Sequence, residues 1–93
     1  MIGAAGRYSL KFSPAARRAL RETLPEAVAA AAWELISDPL LDAPYRLGKQ
    51  LTPPMDDRYS ARRGTYRIIY RIDDKAHTVT VVGIDHRRDV YHR

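Results

Sequence analysis

The feature of this 93-residue sequence that most constrains its fold is a series of three alternating segments near the C-terminal end. These segments are RYSAR (58–62), TYRIIYRI (65–72) and HTVTVVGI (77–84). Arg63 and Gly64 separate the first two, and the turn residues DDKA separate the last two. Short alternating runs rich in β-branched and aromatic residues, joined by tight turns, are typical of antiparallel strands. The sequence therefore predicts a three-stranded antiparallel meander.

One further strand and two helices are predicted ahead of the meander. RYSLKF (7–12) alternates apolar and polar residues, as a strand with one buried face does. Ser13 and Pro14 then form a helix start, because serine caps free backbone N–H groups and proline suits the first helical position. This helix is predicted to end near Leu24, and a second one, PEAVAAAAWELI, begins at Pro25. The two helices would form an antiparallel hairpin lying across the sheet.

These elements define an α+β fold. We expect an N-terminal strand and a two-helix hairpin packed on one face of a three- to four-stranded antiparallel sheet. Residues 37–57, with several prolines, are predicted to be an ordered irregular connection with a helical turn at PLL. A chain of this length supports one core, so residues 1–93 are expected to form a single domain.

Pairing the strands sorts their side chains into two faces, since residues opposite one another in an antiparallel pair share a face. A two-residue turn at Arg63 and Gly64 places Arg62 opposite Thr65, and the next turn places Ile72 opposite His77. The core face then collects Tyr59, Tyr66, Ile68, Tyr70, Ile72, Val79 and Val81. The other face collects Arg58, Arg62, Arg67, Ile69, Arg71, Thr78, Thr80, Val82, Ile84 and, by extension, His86.

The arginine-rich face points to a polyanionic partner. In this register none of the acidic residues falls on it, and the whole chain carries 16 Lys and Arg against 11 Asp and Glu, a formal net charge of +5. Arginine suits bidentate phosphate contacts and stacking on bases, so we favour RNA or DNA binding. The alternative is an exposed sheet face on which arginine and threonine serve only solubility.

The available residue types limit the chemistry to a mechanism without metal or cofactor. The sequence has no cysteine, its three histidines lack metal-ligand spacing, and it has no phosphate-binding glycine loop. RNA cleavage by the 2′-hydroxyl requires only orientation, two proton transfers and stabilisation of the phosphorane. Arginine provides charge but stays protonated, so the proton carriers would be His86, Tyr91, a lysine, or a group from a partner.

Three strings carry a resemblance to a known family. RLGKQL, RYSARRGTYRIIYRIDD and VTVVGIDHRRDVY resemble the RelE/ParE toxin superfamily, and within it the RelE-type toxins of type II toxin–antitoxin modules. The similarity extends from YSLKFSPAARRAL to the terminal tyrosine. It implies a RelE-like microbial RNase fold and ribosome-dependent cleavage of mRNA, with a RelB-like antitoxin that wraps the toxin through an acidic or amphipathic segment.

The resemblance also implies site residues. The catalytic set would be Arg67 of the "YR" motif, His86 and Arg87 of the closing motif, and the late tyrosine Tyr91. RNA contacts would come from Lys49, Arg58, Arg62, Arg63, Arg71 and Arg88. Where cleavage-active relatives carry two lysines on the preceding strand, this chain has Arg58 and Ser60, so that lysine chemistry does not transfer.

Two other functions are compatible with the sequence. One is a ParE-type inhibitor of DNA gyrase, which binds without nuclease chemistry, and the other is a nucleic-acid-binding module that has lost activity. The pair His86 and Tyr91 favours the nuclease, an mRNA interferase that inhibits translation. Without a signal-peptide pattern or a membrane span, we expect a cytoplasmic protein that acts on the ribosome and mRNA. The toxin–antitoxin hetero-oligomer is expected to bind its operator.

Overall fold

The computed structural model describes residues 7–86. An N-terminal strand leads into a helical region, which is followed by the remaining strands of the sheet. The elements are β1 (Ser9–Phe12), α1 (Pro14–Arg18) continued by a π-helical segment (Ala19–Thr23), α2 (Glu26–Ser37), α3 (Pro39–Asp42), α4 (Pro44–Leu47), β2 (Lys49–Gln50), β3 (Tyr59–Arg63), β4 (Tyr66–Asp73) and β5 (Thr78–His86).

The strands form one five-stranded sheet in the order β1-β5-β4-β3-β2. β3, β4 and β5 are the predicted meander, and β1 pairs parallel to β5 at one edge. β2 pairs antiparallel to β3 at the other edge, through Lys49 opposite Ser60 and Gln50 opposite Tyr59. The α+β prediction is confirmed, but the sheet is mixed rather than wholly antiparallel. It also has one more strand than expected, because two residues of the predicted irregular connection pair with β3.

The helices cover the predicted core face of the sheet. Ser13 caps α1 through its hydroxyl, which accepts from the Ala16 N–H and donates to the Val82 carbonyl at 2.8 Å. This pair of bonds ties the start of α1 to β5. The buried apolar residues are Ala16, Ala19, Leu24, Ala32, Leu35, Ile36, Leu40, Leu41, Ala61, Tyr66, Ile68, Tyr70, Val79, Val81 and Ile84. Helices and sheet therefore share one core, and the opposite face of the sheet stays uncovered by them.

The β3–β4 turn lies one residue later along the chain than predicted. Its central residues are Gly64, with a φ of 54°, and Thr65, so Arg62 lies opposite Arg67 and not opposite Thr65. A positive φ at Gly64 explains the position, since only glycine adopts it at no steric cost. The pairing thus shifts by two residues, which leaves every side chain of β3 and β4 on its predicted face.

A β-bulge interrupts the pairing of β4 with β5, between Ile69 and Tyr70 on β4. Before it along β5, Val81 lies opposite Tyr70; after it, Gly83 lies opposite Ile69. Val82 is the extra residue, and it reverses the face of everything that follows it on β5. The predictions that Ile84 and His86 lie on the arginine face are therefore wrong, because Ile84 pairs with Ile68 and His86 with Tyr66.

A cluster of two tyrosines and one aspartate stabilises the end of the sheet at the β4–β5 turn. The Asp74 carboxylate in the β4–β5 turn accepts hydrogen bonds from the hydroxyls of Tyr8 and Tyr45, and the His77 ring stacks on Tyr8 with centroids 4.0 Å apart. These bonds hold the pKa of Asp74 below its ordinary value and raise the pKa of Tyr45 to about 12. The cluster joins the residue that precedes β1, helix α4 and the β4–β5 turn.

Gly48 allows β2 to approach β3 closely. A Cβ at this position would lie 2.5 Å from the Tyr70 hydroxyl and 2.7 Å from the Ser60 carbonyl oxygen. Tyr70 cannot move away, since it is fully buried and donates to the Pro44 carbonyl at 2.6 Å. Its burial raises the pKa of the phenol to about 12. Because Gly48 has no side chain, β2 lies close enough to β3 for Lys49 to pair with Ser60.

We expect Gly48→Ala to destabilise the protein by roughly 1–3 kcal/mol, the usual cost of overpacking a tight site. Urea unfolding followed by circular dichroism measures this loss. The matched control is Gly64→Asn, which tolerates the positive φ of the turn and meets no neighbouring atom within 4 Å. Equal stabilities for Gly48→Ala and the unchanged protein would contradict the close approach.

Candidate functional site

The face of the sheet that points away from the helices carries most of the strand cations, and we call it the basic face. Its members follow from the pairing: Lys11 on β1, Lys49 on β2, Arg62 on β3, and Arg67 and Arg71 on β4. They lie in rows across the strands. One row is Arg62, Arg67 and Asp85, and another is Arg71, Thr80 and Lys11. The predicted clustering of arginines on one face is therefore confirmed for residues 62, 67 and 71.

Arg67 is held by an acidic neighbour on the adjacent strand. Its Nε and Nη2 both lie 3.2 Å from Oδ2 of Asp85. This contact occupies one edge of the guanidinium and leaves N–H groups at Nη1 and Nη2 free of Asp85. The prediction that the face has no acidic residue is wrong, because the bulge turns Asp85 onto it and Asp73, at the end of β4, pairs with Thr78 on the same face. The side chains of Arg67 and Asp85 are half-exposed, so the pair orients Arg67 more than it stabilises the fold.

Arg58 and Arg71 converge on a second carboxylate. Oδ1 of Asp57 lies 3.8 Å from Nε of Arg58, and Oδ2 lies 4.0 Å from Nη1 of Arg71. Nε of Arg58 is buried and has no hydrogen-bond partner among the described residues. These distances are long for ion pairs, so both guanidiniums keep most of their hydrogen-bonding capacity for a ligand.

A row without arginine lies between the two cationic rows. It consists of Lys49, Ser60, Ile69 and Gly83, one from each of four neighbouring strands. A Cβ built on Gly83 would meet no atom within 4 Å, so the space above this strand is open. Glycine within a strand often marks a close approach by another backbone or a ligand. Ser60, Ile69 and Gly83 form an open, uncharged floor with positive charge on both sides, and Lys49 lies at its β2 end.

His86 lies on the core face and not beside Arg67. Only 7% of its surface is exposed, and its Nε2 lies 3.2 Å from the Thr65 hydroxyl in the β3–β4 turn. The bulge is the reason, since a strand of unbroken register would have turned this ring outward. In this position His86 ties the end of β5 to the turn that follows Arg63.

Arg63 also lies away from the basic face. It pairs with Tyr66, whose side chain points toward the helices and whose hydroxyl lies 3.2 Å from the Ala31 carbonyl oxygen. Arg63 lines an open cleft with Glu34 and Asp38 at the end of α2. A ligand that covers the basic face would therefore not meet Arg63 on the same surface.

Three predicted site residues, Arg87, Arg88 and Tyr91, lie outside the described residues. Further residues of the basic face were not predicted. The position of Lys11 on the face could have been predicted from the sequence, because Lys11 alternates with Leu10 and Phe12. The positions of Asp85 and Gly83 could not, because no residue signals where the bulge falls.

Within residues 7–86, no group of three or more His, Asp or Glu side chains is placed to hold a metal ion. In the same range, no helix is both long and apolar enough to cross a membrane.

Comparison with known proteins places the chain in a family. The model of the ParE toxin family, described as the ParE toxin of the type II toxin–antitoxin system parDE, matches residues 4–91. Toxin RelG of Mycobacterium tuberculosis is 44% identical over 86 residues, which cover 92% of this chain and 98% of RelG. Toxin RelE of the same organism is 43% identical over 84 residues, covering 90% and 86% of the two chains.

A solved structure gives the same assignment. A chain of the M. tuberculosis toxin–antitoxin complex RelBE2 is 43% identical and superimposes with a TM-score of 0.82. The match covers 87% of this chain and 99% of that chain. The fold, the arginine-bearing strands and the sequence identity agree, and we conclude that this chain belongs to the RelE/ParE superfamily as a RelE-like toxin of a type II toxin–antitoxin system.

Proposed function

We propose that the protein is a ribosome-dependent mRNA endoribonuclease that inhibits translation. The observation that supports this most is the basic face, where Arg67 lies between Arg62 and Asp85 beside an open floor. A surface with cations around the uncharged residues Ser60, Ile69 and Gly83 suits a single strand of RNA, whose phosphates need charge and whose bases need apolar contact. The similarity of this chain to RelE-like toxins also supports the proposal.

The proposed reaction is metal-independent transesterification. The 2′-oxygen attacks the adjacent phosphorus as its proton leaves, and the bond from phosphorus to the 5′-oxygen breaks as that oxygen gains a proton. The products are a 2′,3′-cyclic phosphate and a free 5′-hydroxyl. Arg67 stabilises the charge that develops on the phosphorane. Such electrostatic stabilisation of the transition state is usually the largest single contribution to an enzyme's rate.

The remaining predicted residues share the work of binding and positioning. Arg62, Arg71, Arg58 and Lys49 contact phosphates along the basic face. Arg87 and Tyr91, which follow β5 in the sequence, are proposed to act at the scissile nucleotide, with Arg88 adding general positive charge. Arg63 contacts ribosomal RNA away from the mRNA.

For His86 we propose a structural role at the end of β5 in place of proton transfer, because its ring is buried against Thr65. We expect His86→Ala to lower stability by about 1–2 kcal/mol, since it removes a buried ring and its bond to Thr65. We expect the folded variant to cleave mRNA less than about tenfold more slowly, because a side chain that does not contact the reacting atoms transfers no proton. Urea unfolding and primer extension on the same preparation measure both. A loss of activity above about a hundredfold with unchanged stability would make His86 a proton carrier after all.

The proposed partner is a RelB-like antitoxin with an acidic or amphipathic segment. Relatives have been solved as the RelBE2 complex of M. tuberculosis, the archaeal RelE–RelB complex of Pyrococcus horikoshii and the intact RelBE complex of E. coli. A net charge of +5 favours an acidic partner. We further propose that the chain acts in the cytoplasm as a single domain, and that the hetero-oligomer binds its operator.

Primer extension on translated mRNA after induction tests the function directly. New 5′ ends that map within codons and require translation support the proposal. If induction instead damages DNA and leaves mRNA intact, the protein inhibits gyrase and the nuclease assignment is overturned. Ribosomes programmed in vitro with a defined mRNA give the same answer without cellular nucleases.

A further inference from the structure

The proposed reaction needs a proton donor for the departing 5′-oxygen, and few groups on the basic face can serve. Arginine stays protonated and donates poorly. The Asp85 carboxylate is engaged with Arg67 through Oδ2, and the Asp73 carboxylate, at the other end of β4, accepts from the Ala76 N–H. His86 lies on the other face, 7% exposed. Among the described residues of the basic face, the donors that remain are the lysines Lys49 and Lys11.

The two lysines differ in their distance from Arg67. Lys49 is two strands away from Arg67 and displaced by two residues, since it shares a row with Ile69. Strand geometry puts these Cα atoms roughly 12 Å apart. Lys11 is two strands away on the other side and displaced by four residues, in the row of Arg71, which gives roughly 17 Å. Of the two lysines, Lys49 is therefore the one near enough to contact the same phosphodiester group as Arg67, from the other side.

The residues around Lys49 support a functional role for this lysine. Gly48 brings its backbone against β3 at a place where any side chain would collide with Tyr70 and Ser60. Ser60, directly opposite, is small and leaves the ammonium room above the floor of Ile69 and Gly83. Lys49 is exposed and makes no ion pair among the described residues, so its protons are available to a ligand.

We propose that Lys49 is a catalytic residue and the general acid of the cleavage reaction, an inference that rests on the proposed function. As the 2′-oxygen forms its bond to phosphorus, the bond from phosphorus to the 5′-oxygen breaks, and Nζ of Lys49 gives that oxygen a proton. The 2′-hydroxyl proton passes to solvent, and solvent later reprotonates the neutral amine. No oxidant, metal or further reactant is required.

The first test keeps the charge and removes the transferable proton. With ribosomes programmed by a defined mRNA, Lys49→Arg should cleave about a hundredfold more slowly at saturating toxin, while the concentration for half-maximal rate stays within about twofold. Lys49→Ala should lose the same rate and also bind more weakly. The matched control is Lys75→Ala, which removes a lysine of the exposed β4–β5 turn. This variant should cleave at the normal rate.

The second test removes the need for an acid. An mRNA with sulfur in place of the scissile 5′-oxygen has a leaving group that departs without protonation. We expect Lys49→Ala to cleave this substrate within about threefold of the unchanged protein, although it is about a hundredfold slower on normal mRNA. An equal defect on both substrates would reduce Lys49 to a phosphate contact and overturn the proposal.

The third test moves the lysine across the strand pair. Because Ser60 lies directly opposite Lys49, the double variant Lys49→Ala, Ser60→Lys places an ammonium over the same floor. It should recover at least about tenfold of the lost rate. If Lys49→Ala cleaves normally while the unchanged protein is active, the Lys49 proposal alone fails. If the unchanged protein cuts no ribosome-bound mRNA, the proposed function fails, and Lys49 with it.

Discussion

Arg67→Ala should lower mRNA cleavage by roughly a hundred- to a thousandfold, the cost of removing one charge-stabilising donor from a transition state. The fold should persist, because the side chain is 41% exposed and its ion pair with Asp85 is half-solvated. Single-turnover cleavage of mRNA on programmed ribosomes measures the rate, and urea unfolding measures the stability. A stability loss above about 1 kcal/mol would show that the pair supports the fold instead.

Two comparisons separate the role of Arg67 from simple charge. Arg67→Ala leaves Asp85 without its partner on the basic face, so the double variant Arg67→Ala, Asp85→Ala removes that repulsion of RNA. We expect tighter RNA binding than in the single variant but no recovery of the cleavage rate. Arg17→Ala, an exposed arginine on α1, gives the same change of net charge on the opposite side of the sheet and should leave cleavage unchanged. Wild-type cleavage by Arg67→Ala would remove Arg67 from the reaction.

Gly83→Val should abolish most of the activity without harming the fold. The added side chain meets no atom within 4 Å, and valine is favoured in strands, so stability should stay the same or rise by up to about 0.5 kcal/mol. The isopropyl group would stand on the floor between Arg67 and Arg71, where the RNA is proposed to lie. We expect cleavage to fall by roughly a hundredfold through displacement of the substrate.

Ser9→Val is the matched control for Gly83→Val. Ser9 lies at the edge of the same face, on β1 opposite Thr78, so the change adds similar bulk far from Arg67. Its cleavage should match that of the unchanged protein. Normal cleavage by Gly83→Val would mean that RNA does not approach this part of the sheet, while equal losses for both variants would indicate a general effect of bulk on the face.

Much of the fold follows from local signals in the sequence. Alternation in TYRIIYRI and HTVTVVGI predicted the meander, and the cap at Ser13 and the proline at residue 25 predicted the starts of α1 and α2. The face of Arg62, Arg67 and Arg71 was also predictable, because an error of two residues in a strand pairing returns each side chain to the same side. These predictions depend on periods of two and 3.6 residues and on local cap and proline signals.

The rest of the site depends on contacts that the sequence does not encode locally. The bulge at Val82 changes the pairing by one residue, and this alone exchanges His86 for Asp85 beside Arg67. β2 has only two residues, and it forms because Gly48 fits against Tyr70, a residue distant in sequence. No local pattern predicts either event, so Lys49 could be named from sequence as a cation but not placed opposite Ser60.

The carboxylates beside the arginines have a consequence for how ionic strength acts on this toxin. Asp85 and Asp57 are internal counterions, held by the fold next to Arg67 and between Arg58 and Arg71. In the proposed complex, RNA phosphates replace these carboxylates as partners of the arginines, and the two carboxylates remain on the surface. Salt dependence of RNA binding follows the net number of phosphate charges neutralised. The affinity for RNA should therefore decline with added salt less steeply than the number of arginines on the face implies.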